Sequence, residues 1–225
     1  MQQAAGIALA VVFTAIQTSH RLSHAVDLLN RAVAWVQAES GIRASVGRSR
    51  TVAGEVQIEL ALPYSRGATT QKTLASIKVH LTYDEPILTP PVTYRITPRY
   101  SDLLPFDVMA YSLDEILAEK MRALIQQQDK WPRPRDLYDL WFLTNTGRQT
   151  FAELSVRDLF RAKCRAKSID PEPRKLMSER LRAMNATIWA SQLEALMETV
   201  PSFDTVWKAW ILRCQHWFPE TAPSE

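Results

Sequence analysis

The chain has 225 residues, 46% hydrophobic and 23% charged, with a net charge of +3. It is long enough to bury a substantial core and to divide into two lobes, and its composition excludes a disordered tail, a collagen and a small disulfide scaffold. Only six glycines are present and none forms GxGxxG; the nearest approach to a phosphate loop, Gly41 followed by Gly47, Arg48 and Ser49, has one residue too many and Arg where Lys is needed.

Taken in chain order, the first feature is an apolar run from Gly6 to Ile16, too short to cross a bilayer and with no Lys or Arg before it. It reads as buried structure, with a signal peptide as the alternative. Asp27 to Glu39 reads as an amphipathic helix with Leu28, Leu29, Ala32, Val33 and Val36 at helical spacing. Two strands follow. Glu55 to Leu62 and Leu74 to Thr82 alternate cleanly, the second setting Ile77, Val79 and Leu81 against Lys78, His80 and Thr82.

Proline-rich connections at Pro86 to Pro91 and Pro98 to Pro105 then separate a mixed α/β lobe, 1–105, from a helical lobe, 106–225. Ser112 and Glu115 form a capping box opening a helix to about Gln127, and Pro134 begins another that stops before Gly147. Further helices are expected at Val156 to Ala166, Arg174 to Met184, Ala186 to Thr199 and Ser202 to Phe218. The last carries one broad apolar stripe, Val206, Trp207, Trp210, Ile211, Cys214 and Trp217.

Lys120 is the odd residue of the Ser112 helix. It falls inside the stripe of Leu113, Ile116, Leu117, Met121 and Leu124 rather than at its edge. Its ammonium either snorkels to water or pairs with Asp136 or Asp139, or it holds the phosphates of a triphosphate. Asp136, in the first turn of the next helix, either complements the helix dipole or orients Lys120. His20 and His24 have a zinc-like spacing, but HRLSH lacks the Glu of the metallohydrolase motif, and no GxSxG nucleophile is present. Cys164 and Cys214 have no CxxC spacing, which points to a reducing cytoplasm rather than to zinc or disulfides. Arg157 to Arg182 holds nine Lys and Arg against four Asp and Glu, a segment that could bind RNA through its phosphates or be an ordinary solvated surface.

Ala110 to Leu143, AYSLDEILAEKMRALIQQQDKWPRPRDLYDLWFL, resembles the signature of the AbiEii/AbiGii toxin nucleotidyltransferases of the polymerase-β-like superfamily. Ile77 to Pro91 resembles the family's strand and following loop, His20 to Leu29 its segment ending in DxDLL, and Ala5 to Leu9 its glycine-containing helix start. The resemblance implies an α+β fold, a polymerase-β-like lobe with a small mixed sheet followed by a helical lobe. It implies Asp27, Lys120 and Asp136 as catalytic residues, Gly6, Ser23, Lys78 and Lys120 as nucleotide-binding ones, and Asp27 as metal ligand for Mg²⁺ if the chain is active.

The catalytic carboxylates of the superfamily are incomplete here. Ala25 stands where the first Asp of DxD belongs and His80 where a strand acid is usual, and the N-terminal part is shorter than the family's. A hard divalent cation needs oxygen ligands, for which Glu55 and Glu59 are the remaining candidates. The expected function is a toxin that transfers a nucleotide weakly from an NTP to an RNA or protein acceptor. The alternative is an inert member of the fold that binds RNA or a protein antitoxin. Restoring Ala25→Asp with His80→Asp is expected to raise transfer if the rest of the site is intact.

Overall fold

A computed structural model of the chain describes residues 21–41, 43–47, 49–51, 57–65, 75–82, 86–98, 104–146 and 151–221. They fall into two compact units, one before and one from Pro86. The sequence boundary near residue 105 therefore differs from this division: the segment between the two proline-rich stretches goes with the helices.

In the first unit, helix α1 (Arg21–Ser40) precedes strands β1 (Arg43–Ala44), β2 (Ser49–Thr51), β3 (Gln57–Ser65) and β4 (Ala75–Thr82). The helix begins six residues before Asp27, where sequence periodicity would have started it. Strand β3 is the centre of the sheet. It pairs with β4 from Gln57 opposite Thr82 to Tyr64 opposite Ala75, and its other edge takes β2 and then β1. Every described pairing is antiparallel, and the β3–β4 connection is shorter than the dozen or so residues that a parallel crossover needs.

The second unit opens with a hairpin of β5 (Val92–Ile96) and β6 (Phe106–Ala110), paired from Val92 opposite Ala110 to Ile96 opposite Phe106. Helices α2 (Leu113–Gln127), α3 (Pro134–Asn145), α4 (Glu153–Ala166), α5 (Glu179–Leu193) and α6 (Phe203–Trp217) follow. Their apolar stripes converge on one core: Leu117, Met121 and Leu124 of α2, Leu137 and Leu140 of α3, Phe160 and Cys164 of α4, Trp189 of α5, and Val206, Trp210, Cys214 and Trp217 of α6. The stripe expected on α6 is the buried one, with Ile211 at its edge.

Helix α5 differs from the sequence reading, which placed a break near Asn185. Pro173–Met177 is a short 3₁₀ turn, and the α-helix starts after Ser178, whose hydroxyl accepts from Leu181 N–H at 3.2 Å. A serine able to satisfy an orphan N–H fixes the helix start more firmly than periodicity does.

Candidate functional site

The N-terminus of α2 joins three segments. Ser112 caps it as expected, accepting from Glu115 N–H at 3.2 Å. The reciprocal arm of the capping box is redirected. Glu115 accepts instead from Leu88 N–H at 2.9 Å, from Thr89 N–H at 2.8 Å and from the Thr89 hydroxyl. Its carboxylate is only 1% exposed and pairs at 2.8 Å with Lys163 of α4, 2% exposed, which also donates to the Pro86 carbonyl at 3.0 Å. Burial opposes the charge on Glu115, but Lys163 and the donors of residues 88 and 89 outweigh it and hold the carboxyl below its ordinary value. Three residues of the entering chain, Pro86, Leu88 and Thr89, are thereby fastened to α2 and α4.

One and a half turns along α2, the Lys120 ammonium lies between two carboxylates of α3, 3.0 Å from Asp136 and 2.7 Å from Asp139. Its side chain keeps 22% exposure, so the group is sheltered yet reachable. Burial pulls the ammonium toward neutrality; the two carboxylates overcome this and raise its pKa. Asp136 also accepts from Arg133 Nε. Pairing with both acids, which the sequence offered as alternatives, is thus what the structure contains.

Two buried polar residues here escaped the sequence reading. Lys163 occupies the same position on α4 that made Lys120 conspicuous on α2, inside the stripe of Val156, Leu159, Phe160 and Cys164. Asn185 replaces an apolar residue in the α5 stripe Leu181, Trp189, Leu193, and is fully buried.

The other expected site residues belong to the first unit. Asp27 and Ser23 are exposed on α1, whereas Ala25 is 2% exposed. Lys78 lies on β4 opposite Ala61, and His80 opposite Glu59. Gly6, His20 and Glu55 lie outside the described residues. Residues two apart share a face on a strand but stand about 200° apart on a helix, so positions 25 and 27 of α1 do not converge. Among the described residues no group of three His, Cys, Asp or Glu side chains is placed to hold a metal. Among the described residues the DxD register thus offers Mg²⁺ the single carboxylate of Asp27, where the superfamily supplies two.

The basic segment is largely neutralised within the fold. Arg157 and Arg161 face Glu220, Lys163 faces Glu115, Lys175 faces Asp170, Arg180 faces Asp129, and Arg182 faces Glu179 and Asp204. Among the described residues this leaves Arg165, Lys167 and Arg174 as the cations of the segment without an acidic partner.

A helical unit that carries a lysine between two aspartates, all drawn from the EKMRALIQ and RDLYDL stretches, invites comparison with known proteins. The family described as nucleotidyl transferase AbiEii toxin, type IV TA system, matches residues 6–209. The chain belongs to this family. Among solved structures it is similar to MenT4, a nucleotidyltransferase toxin of Mycobacterium tuberculosis H37Rv, at 18% identity and a TM-score of 0.53, over 81% of this chain and 60% of that one. JHP933 from Helicobacter pylori aligns at 13% identity and a TM-score of 0.44, over 79% of this chain and 66% of that one. This AbiEii chain spans less than two thirds of MenT4, and the likeness to MenT4 shows a shared α+β fold. No curated protein matches it in sequence. No helix among the described residues is long and apolar enough to cross a membrane.

Proposed function

We propose that this AbiEii-family protein is a cytoplasmic toxin component that takes the triphosphate of an NTP on Lys120 and transfers a nucleotide weakly to an RNA or protein hydroxyl. The observation that carries the reading is the half-sheltered ammonium fixed between Asp136 and Asp139. Two carboxylates holding one amine set its position before a ligand arrives, which lowers the cost of ordering it on binding. In the reaction the acceptor oxygen bonds to the α-phosphorus, the bond from that phosphorus to the pyrophosphate oxygen breaks, and the acceptor proton leaves to solvent. An ammonium on the outer phosphates offsets the charge that gathers on the leaving pyrophosphate.

Weak transfer follows from the first unit. Ala25 supplies no ligand atom and is buried, and Asp27 stands on another face of α1. The same observation favours a second reading, an inert protein that keeps the fold and binds RNA or an antitoxin. Incubating the purified chain with each labelled NTP, Mg²⁺ and total RNA separates the two. Slow label transfer that Lys120→Met abolishes supports the first; NTP binding without transfer supports the second. No NTP binding by the unmodified protein sinks the Lys120 site.

A further inference from the structure

We infer that Asn185 of α5 is the positioning residue of the Lys120 site, fixing the start of α3 and through it Asp136. The proposal deepens the NTP reading above and adds a residue outside the family signature.

The start of α3 lacks a conventional cap. Arg133 is its N-cap, and no side chain of its own turn accepts a helix N–H. Pro134 follows and has no N–H to offer, and the N–H of Arg133, just ahead of it, needs a partner outside the helix. It finds one across the core: Arg133 N–H donates to Asn185 Oδ1 at 2.8 Å, and Asn185 Nδ2 donates to the Leu181 carbonyl at 2.8 Å. The two partners fix which way the amide points, since a backbone N–H needs oxygen and a carbonyl needs N–H.

Asn185 is 0% exposed, at a spacing that is otherwise apolar, Leu181, Trp189 and Leu193. Burying an amide there costs free energy unless both ends are bonded, and an apolar side chain would pack on α3 without orienting it. The amide supplies direction. Asp136 lies three residues beyond Arg133, on the first turn, where a small rotation of the helix start displaces its carboxylate. That carboxylate holds both the Arg133 guanidinium and Lys120. Tyr138, two residues further on α3, meets the ring of Trp189 on α5 at 6.5 Å, so apolar packing holds the two helices together while Asn185 sets their rotation.

The full-length chain tests this. In ¹⁵N-lysine-labelled protein the Lys120 ammonium, held by two carboxylates, should give a resolved Nζ signal at neutral pH, assigned by its loss in Lys120→Arg. Asn185→Leu should remove that signal and weaken ATP binding by roughly tenfold, about 1.4 kcal/mol, with the melt of the helical core still cooperative. Asn185→Asp keeps an oxygen for the Arg133 N–H and should keep the signal. An unchanged Lys120 signal in Asn185→Leu overturns the proposal. Should that variant not fold, amide exchange in the unmodified chain decides: a protected Arg133 N–H supports the bond, and exchange at the open-chain rate refutes it. If the unmodified protein binds no ATP, the NTP reading fails while the ammonium signal still judges the role of Asn185.

Discussion

Lys163→Met isolates the buried pair that fastens residues 86–89. The thioether fills much of the volume of the lysine stem, so the main loss is charge. Glu115, 1% exposed, then keeps its three donors from Leu88 and Thr89 but has no cation. Removing one partner of a buried ion pair costs about 3–5 kcal/mol. For a unit of this size the melting temperature should fall by roughly 10 °C. Tryptophan fluorescence reads it directly, because Trp189, Trp210 and Trp217 lie in the core of that unit. Adding Glu115→Gln retains an acceptor for the two N–H groups while deleting the stranded charge, and should recover about 1–2 kcal/mol. The pH dependence has a definite sign. In the unmodified protein the Glu115 pKa is lowered, so its contribution is present above the unfolded carboxyl value and lost as pH falls through the folded one. Without Lys163, burial pushes that pKa the other way, and the gap between the two proteins should narrow from pH 7 toward pH 4. A melt of Lys163→Met within 2 °C of the unmodified protein at pH 7 would refute the reasoning, within the roughly 3 °C expected per kcal/mol.

Ala25→Asp, alone or with His80→Asp, should not raise transfer as the DxD register alone would suggest; the new carboxylate enters a buried face of α1 and should lower the stability of the first unit by about 2–4 kcal/mol, read by denaturant titration. Rescue of label transfer by the double variant would show that α1 is not the arrangement in which the protein works. Lys120→Met should abolish NTP binding, and Lys120→Arg should not replace it, since a planar fork cannot occupy the place of a compact ammonium between two carboxylates; retained affinity in either contradicts this. If RNA binds along Arg157 to Arg182, the triple change of Arg165, Lys167 and Arg174 to Ser should flatten the salt dependence by roughly 0.7 in log–log slope for each lost contact to a single strand. Arg161→Ser, which removes a cation already engaged with Glu220, should leave that slope alone.

Much of the helical unit was legible because α2, α3 and α6 are long enough for a period of 3.6 to repeat and carry Ser112, Pro134 and Ser202 at their starts. The β5–β6 hairpin was not. Its strands have five residues each and directly follow Pro91 and Pro105, so local composition reads as loop, and only the pairing of the two makes them a sheet. The start of α5 was misplaced because Ser178 acts through one hydroxyl that periodicity does not weigh. In the site, Lys120 declared itself as a charge inside an apolar stripe. Lys163 and Asn185 carried the same signal, but their partners Glu115 and Arg133 are 48 and 52 residues away in the chain, and no spacing rule connects them. The DxD register was drawn from resemblance, and its meaning depends on strand geometry that α1 does not provide.

The burial of the two cysteines makes the protein its own clock. Burial pushes the Cys164 thiol up to about 11 and Cys214 well above its ordinary value, so neither ionises at neutral pH while the core is closed. A thiol reagent attacks only the thiolate. Alkylation therefore counts openings of the core, and because Cys164 rides on α4 and Cys214 on α6, mass mapping of the label tells which helix parts first. No engineered probe is needed, and the same measurement on a substituted chain reports whether a change in the Lys120 region has loosened one edge of the bundle or the whole of it.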